Sequence, residues 1–176
     1  MIIFVQSYQA QVQFREAMPA KEHILWEQQG KDDTFRQYSD RIKGGESAVL
    51  VCVIGGKLSE GINFSDGLAR TVLVLGLPFP NNQSVSLQQR MQYFDSQKGG
   101  LDGRQYYENL CMRVLNQAIG RALRHKDDYA CIVIVDSRIM NLHHKLPYWV
   151  QQHKVTCKTQ DEATKAITDF YMQNSM

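Results

Sequence analysis

Residues 48–54 read Ala48-Val49-Leu50-Val51-Cys52-Val53-Ile54, an unbroken apolar run that is rich in β-branched side chains. Such a run is typical of a parallel strand that is covered on both faces, because a strand with one face in water alternates apolar and polar residues. Further runs of this character occur at Ile2–Val5, Thr71–Leu75 and Ala130–Val135. The sequence therefore predicts four buried strands in a mainly parallel sheet.

Segments with apolar residues at helical spacing separate these runs. The predicted helices are a short polar one through Val12 and Phe14, one from Asp32 or Asp33 to Gly44-Gly45, one from Ser84 to Phe94, one from Glu108 to His125, and a last one that begins at a capping box of Thr159 and Glu162. Residues 18–33 are interpreted as a loop with one apolar anchor, Ile24-Leu25-Trp26. The alternation of strands and helices predicts an α/β domain of three layers, with helices flanking the sheet.

Length and charge narrow the possibilities further. A chain of 176 residues can form one domain with its own core, which we assign to residues 1–150, with a helical extension at 151–176 packed on it. The net charge of only +2 excludes a polycation, so any contact with nucleic acid must come from a local patch. The opening apolar run is too short for a signal peptide or a membrane span, so no membrane contact is expected.

The cysteines give a second compositional clue. They lie far apart and lack the spacing of metal ligands, which predicts buried, reduced thiols in an intracellular protein and no metal site. The four are Cys52, Cys111, Cys131 and Cys157.

The helix predicted from Glu108 to His125 has two distinct faces. One is apolar, and the other carries Arg113, Gln117, Arg121 and Arg124 within roughly 80° of one another. Gly120 lies beside this stripe and permits close approach to the backbone. Planar guanidinium groups and an amide on one stripe suit phosphate oxygens. The alternative interpretation is an ordinary solvated face of an amphipathic helix.

Two polar, glycine-containing segments follow strands, at the sheet edge where ligands of parallel α/β domains gather. They are Gly55-Gly56-Lys57-Leu58-Ser59-Glu60-Gly61-Ile62-Asn63-Phe64-Ser65-Asp66 and Gly76-Leu77-Pro78-Phe79-Pro80-Asn81. The first offers backbone N–H groups and a lysine to a phosphate, although Gly-Gly after a strand is also a common turn. The order GxxxxGK[ST] of a Walker A loop appears nowhere in the chain, so the usual nucleotide cradle is missing.

Three segments resemble motifs of the XPD-type iron–sulfur DNA helicases of superfamily 2. Phe4-Val5-Gln6-Ser7-Tyr8 resembles motif IV, residues 56–66 resemble motif V, and Gln117-Ala118-Ile119-Gly120-Arg121-Ala122-Leu123-Arg124 resembles motif VI. We call these the motif IV, motif V and motif VI segments. The chromosome-loss subgroup is the most similar, on the cues Asn63, Pro78-Phe79-Pro80-Asn81, Glu108-Asn109-Leu110-Cys111-Met112 and Leu146-Pro147-Tyr148-Trp149-Val150.

The resemblance implies that the chain is the second RecA-like motor domain of an ATP-dependent DNA helicase. In such a helicase ATP and Mg²⁺ sit between two motor domains. The first domain, an implied partner of this chain, carries the phosphate loop, the magnesium-binding carboxylates and the iron–sulfur insertion. No iron–sulfur cluster is therefore expected within these 176 residues. Whether the chain is a fragment or a truncated relative, it is expected to be inactive as an ATPase on its own.

Roles for single residues also follow from the resemblance. The catalytic set is Arg124 as arginine finger, Arg121 as its partner at the phosphates and Gln117 as a positioning residue. The ATP-binding set is Gly120, Glu60, Gly61 and Asn63, and the set expected to contact single-stranded or forked DNA is Ser7, Tyr8, Lys57 and Ser59. The family further implies a nuclear location, 5′-to-3′ unwinding, and a part in chromosome cohesion or repair.

Several assignments keep an alternative. Tyr8 is as compatible with packing on the sheet edge as with DNA contact, and Asn63 and Asp136 are also compatible with structural turns. Arg113 is expected in solvent or at an interface, His125 at the helix end, and the histidines 143, 144 and 153 at the surface. For the whole chain the alternative is a non-catalytic module, derived from a truncated helicase, that binds DNA or a protein.

Overall fold

The computed structural model describes residues 1–19, 21–29, 33–56, 58, 64, 66–97, 99–123 and 128–174. Within these residues one sheet is formed by β1 (Ile2–Val5), β2 (Ile24–Trp26), β3 (Val49–Val53), β4 (Thr71–Leu75) and β5 (Cys131–Val135). The strand order is β2-β3-β1-β4-β5, and every neighbouring pair is parallel. The predicted parallel sheet and its four predicted strands are confirmed.

Strand β2 corrects the interpretation of residues 18–33 as a loop. Ile24 pairs with Val49 and Trp26 with Val51, so the apolar anchor is a short edge strand. A strand of only three residues carries too little pattern to be recognised locally, since its pairing with β3 depends on residues far away in the sequence.

Helices connect the strands and cover both faces of the sheet. They are α1 (Tyr8–Ala17), α2 (Asp33–Lys43), α3 (Val85–Ser96), α4 (Gly103–Ile119), α5 (Ile139–Leu142), α6 (Tyr148–Gln152) and α7 (Gln160–Asn174), with 3₁₀ turns at Asp66–Ala69 and His143–Lys145. Alternate strand residues face opposite sides, so that Phe4 packs with Tyr38 of α2 and Leu115 of α4 in one core, while Val5 packs towards Phe14 of α1 in the other. The three-layer α/β prediction is confirmed.

Helix α4 begins earlier and ends earlier than the sequence pattern predicts. It starts at Gly103 because Asp102 forms a reciprocal capping box with Gln105, in which Asp102 Oδ1 accepts from the Gln105 N–H at 2.7 Å. It ends at Ile119, and the Arg121 and Ala122 N–H groups donate to carbonyls three residues back. Gly120, a poor helix former, stands where the helix stops. The prediction that residues from Arg113 to Arg124 share one helical face is therefore wrong, because the helix does not reach Arg121.

The C-terminal helix α7 contacts the body of the fold through Tyr171 and through Phe170, whose ring lies 6.2 Å from that of Tyr129. Tyr171 donates its hydroxyl to the Arg70 carbonyl at 2.6 Å and lies 2.5 Å from Thr71 Oγ1. At the start of this helix the Glu162 N–H donates to Thr159 Oγ1, as in the predicted capping box. The Glu162 carboxylate accepts the backbone N–H of Lys158 and not that of Thr159. The division into residues 1–150 and 151–176 remains a prediction.

Two further properties concern the whole described part of the chain. Its four cysteines are free thiols, of which Cys52 and Cys111 are buried while Cys131 and Cys157 are partly exposed. Burial was therefore expected correctly for two of the four. None of the described helices is long and apolar enough to cross a membrane.

Candidate functional site

The motif IV and motif V segments begin side by side at the carboxyl edge of the sheet. The motif IV segment runs through the end of β1, and the motif V segment follows the end of β3. Strands β1 and β3 are neighbours, and their last residues, Val5 and Val53, are paired. A shared edge of this kind is where the ligands of parallel α/β sheets bind.

Ser7 and Tyr8 both have protein partners in the motif IV segment. Ser7 is the exposed N-cap of α1, and its Oγ accepts the Ala10 N–H at 3.1 Å. Tyr8 is half-buried, and its hydroxyl donates to Glu27 Oε1 at 3.2 Å. Burial, together with the Glu27 carboxylate, raises the pKa of the Tyr8 phenol above its usual value. The Tyr8 ring packs against the buried cluster that includes Val5 and Val53, and its role in DNA contact stays a prediction.

Glu27 is a buried carboxylate that the sequence analysis did not select. It follows β2 directly, is only 5 % exposed, and accepts the Val53 N–H at 2.7 Å. Beside it, buried Gln11 of α1 donates from Nε2 to the carbonyls of Glu27 and Val51, each at 3.2 Å. The available signal was position, because an acidic residue directly after a strand lies at the ligand edge. That signal was hidden while β2 was interpreted as a loop.

Helix α4 brings the motif VI segment towards the start of the loop that follows β3. A Cβ built on Gly55 would lie 3.4 Å from Val114 Cγ1. Gly55 has a φ of +71°, a left-handed conformation that glycine adopts without steric cost. Because residues three apart on a helix are neighbours, Gln117 lies one turn from this contact. The turn of α4 that precedes the motif VI segment therefore lies against Gly55, the residue that precedes the motif V segment.

The described part of the motif VI segment is polar and accessible at its start. Gln117 and Gly120 are exposed, and Arg121 is half-buried in the turn after α4. A guanidinium and a carboxamide are hydrogen-bond donors suited to phosphate oxygens. The chemistry of this donor set fits a polyphosphate such as ATP. Arg113 is exposed, as expected.

The remaining candidate residues lie outside the described residues. They are the catalytic candidate Arg124, the ATP-binding candidates Glu60, Gly61 and Asn63, and the DNA-binding candidates Lys57 and Ser59. Their assigned roles stay predictions.

A second polar group lies at the same edge, at the ends of β4 and β5. Asp136 Oδ1 accepts the Arg138 N–H at 2.9 Å, which closes an Asx turn, and Oδ2 accepts the Leu77 N–H at 2.8 Å. The Arg138 guanidinium lies 4.7 Å from the centre of the Phe79 ring, which stacks on Tyr107. The hydrogen bonds from Arg138 and Leu77 lower the pKa of Asp136 to about 2. Asp136 is thus a structural carboxylate that fixes two of the edge loops.

The described residues contain no cluster of metal-ligating side chains. No group of three or more histidine, cysteine or acidic side chains in this part of the chain could hold a metal ion. His143 Nδ1 lies 2.8 Å from the Met140 carbonyl.

Comparison with protein families and curated proteins gives consistent results. Residues 1–153 match the family model described as "Helicase C-terminal domain". The ATP-dependent DNA helicase chl1 of Aspergillus clavatus is 45 % identical over 167 residues, covering 84 % of this chain and 23 % of that protein. The Caenorhabditis elegans protein of the name ATP-dependent DNA helicase chl-1 is 37 % identical over 186 aligned positions, covering 99 % of this chain and 22 % of that protein. The chain spans about a fifth of the length of these relatives.

Solved structures support the fold. A structure described as Xpd4 of S. tokodaii superposes with a TM-score of 0.62 at 21 % identity, covering 84 % of this chain and 29 % of that one. At this level of identity the similarity establishes the shared fold.

Proposed function

The chain belongs to the helicase C-terminal domain family, and on that basis we propose that it is the second motor domain of an ATP-dependent DNA helicase. The relatives named ATP-dependent DNA helicase match most of the chain, whereas the chain matches about a fifth of their length. The helicase activity therefore belongs to a longer protein, and this chain forms one side of its nucleotide-binding site.

The observation that carries the proposal is the meeting of three segments at one sheet edge. Val5 pairs with Val53 where the motif IV and motif V segments adjoin, and Val114 of α4 lies against Gly55 one turn before Gln117. A helicase motor must couple a nucleotide on one side to DNA on the other. Contacts between adjoining segments would provide that coupling, because a shift in one segment would displace its neighbour.

ATP with Mg²⁺ supplies the transferable phosphoryl group and the cation that neutralises it, and we assign the phosphate loop and the magnesium ligands to the first motor domain. From this chain, Arg121 and Arg124 would donate to the phosphate oxygens and stabilise the charge that develops during phosphoryl transfer. Gln117 would orient the reacting groups, with Gly120 allowing close approach. Glu60, Gly61 and Asn63 would connect the phosphates to the DNA side.

The DNA grip is proposed for single-stranded or forked DNA. Ser7 retains a hydroxyl hydrogen for a phosphate, because its Oγ acts as the acceptor in the N-cap bond. Lys57 and Ser59 of the motif V segment would add contacts to the DNA phosphate backbone. The half-buried Tyr8 ring supports a part in shaping this edge more than in base stacking. A nuclear location and a role in chromosome cohesion or repair accompany this proposal.

The proposal is tested by measuring DNA-stimulated ATP hydrolysis for the chain alone and for the chain fused to a matching first motor domain. We expect negligible turnover by the chain alone and DNA-stimulated turnover by the fusion. Rapid turnover by the chain alone would contradict the proposal, because it would require a complete site within one domain. An inactive fusion that still binds single-stranded DNA or a protein would favour the non-catalytic alternative. Its DNA affinity should fall with salt if phosphates are contacted.

A further inference from the structure

The buried carboxylate of Glu27 connects the motif IV segment to the motif V segment. Its Oε1 accepts the Tyr8 hydroxyl at 3.2 Å and receives a longer contact of 3.5 Å from the Leu58 N–H, while its Oε2 accepts the Val53 N–H at 2.7 Å. Tyr8 lies in the motif IV segment, Leu58 lies in the motif V segment, and Val53 is the last residue of β3. One side chain thus contacts the last residue of the motif IV segment, a residue near the start of the motif V segment, and the last residue of β3.

The surroundings of Glu27 are built for this carboxylate. Its backbone is held to β3 by its own N–H, which donates to the Val51 carbonyl at 2.8 Å. A Cβ on Gly56 would lie 3.4 Å from Glu27 Oε1 and 2.9 Å from the Val53 carbonyl oxygen, so only glycine fits there without displacement. Among the described residues, the groups that hydrogen-bond to the carboxylate oxygens are the Tyr8 hydroxyl and the N–H groups of Val53 and Leu58, and each of them is a donor. A buried acceptor that meets several donors holds them in a defined arrangement, because each lost bond leaves a buried polar group unsatisfied.

We propose that Glu27 is a positioning residue that sets the motif V segment against the motif IV segment for gripping single-stranded DNA, an inference that rests on the function proposed above. Glu27 is buried and does not touch the DNA itself. It acts through Tyr8 and through Leu58, which belongs to the same motif V segment as the DNA candidates Lys57 and Ser59. In metal sites, residues that only support the ligands commonly change affinity by tenfold or more, and we expect an effect of similar size here.

The test uses the full chain with Glu27→Gln, which keeps the shape of the side chain. A carboxamide has one acceptor oxygen and an NH₂ donor, so one of the donors that face Glu27 must oppose another donor. Gln11→Met is the matched control. It removes buried hydrogen bonds from the same cluster, but it does not remove the contact with Leu58.

Two readouts are measured at a temperature at which every variant is folded. The first is the affinity for a fluorescently labelled oligothymidylate. We expect Glu27→Gln to weaken it about tenfold, Gln11→Met to leave it within about twofold, and Glu27→Gln to have little effect on a Lys57→Ala background. The second is amide hydrogen exchange at Leu58, which we expect to accelerate in Glu27→Gln and to stay slow in Gln11→Met.

Unchanged affinity together with unchanged exchange at Leu58 in Glu27→Gln would overturn the proposal. So would an equal loss of affinity with and without Lys57, because Glu27 would then act by another route. If the unmodified chain does not bind the oligonucleotide, the proposed DNA grip fails and the inference fails with it. The exchange at Leu58 then reports separately whether Glu27 orders the loop.

Discussion

The Arg138 guanidinium binds the Asp136 carboxylate at two points, with Nη2 2.6 Å from Oδ2 and Nε 2.9 Å from Oδ1. The same carboxylate accepts the Leu77 N–H, so it joins the loop after β4 to the turn after β5. Asp136 is 8 % exposed in its side chain and Arg138 is 53 % exposed. Solvent therefore reaches the arginine and weakens the ion pair from that side, whereas the carboxylate is protected from solvent.

Replacement of Asp136 by Asn is expected to lower the free energy of unfolding by about 1–2 kcal/mol at neutral pH. Because the pKa of Asp136 falls from 3.8 in the unfolded chain to about 2 in the folded one, the carboxylate stabilises fully above the unfolded value. That contribution is lost as the pH falls towards the folded pKa. Urea unfolding of both proteins across the acid range should show the difference shrinking below about pH 4. A difference that stays constant would contradict this explanation.

Substitution of Gly76 by alanine is expected to be more destabilising than the same substitution at Gly99. Both glycines have left-handed backbones, with φ values of +81° and +80°. At Gly76 an added Cβ would lie 1.7 Å from Gln6 Nε2, whereas at Gly99 nothing lies within 4 Å. We expect about 1 kcal/mol from the backbone at either position and a further loss at Gly76 from the overlap.

The two contributions at Gly76 can be separated with Gln6→Ala. In that background Gly76→Ala should cost about as much as Gly99→Ala, as measured by the urea midpoint at constant m-value. Equal costs at Gly76 and Gly99 with Gln6 intact would show that the Gln6 side chain moves aside freely.

Lys145 is expected to stabilise the chain more than Arg104, although both bind Glu108. Lys145 Nζ lies 2.8 Å from Glu108 Oε2, with both side chains less than one-fifth exposed, whereas Arg104 is 84 % exposed. The hydrogen bond from Lys145 is the main cause of the lowered pKa of Glu108. Thermal unfolding should show a loss of about 1 kcal/mol for Lys145→Met and less than about 0.5 kcal/mol for Arg104→Met. The opposite ranking would contradict the assigned contacts.

The sequence predicted the sheet well because its strands are covered on both faces. A short apolar run that is rich in β-branched residues, such as residues 48–54, favours a buried strand over a helix. This run pairs with β1, which has the same character and pairs on its other side with β4. The edge strand β2 lacked such a run, and Glu27 was missed together with it. The buried bonds of Glu27 to Tyr8, Val53 and Leu58 join residues far apart in the chain, and no local pattern reveals them.

The extent of α4 shows where local patterns mislead. The capping pair Asp102 and Gln105 marks the start of this helix in the sequence. It was missed because Gly103, a poor helix former, lies between the two residues. Its end at Ile119 was missed because apolar spacing continues through Ala122, which is buried although it lies beyond the helix. Periodicity records which residues face the core, and residues in a turn can do this as well as residues in a helix.

The proposed function depends above all on Arg124, whose positive charge would stabilise a triphosphate that a neighbouring motor domain holds. The most direct test is the DNA-stimulated ATPase rate of the two-domain fusion with Arg124→Ala, compared with Arg113→Ala, an equal change of charge at an exposed position on α4. We predict a fall of about 10³-fold or more in kcat for Arg124→Ala and a change of less than about twofold for Arg113→Ala. An unchanged kcat in Arg124→Ala, or an equal fall in both variants, would contradict the claim.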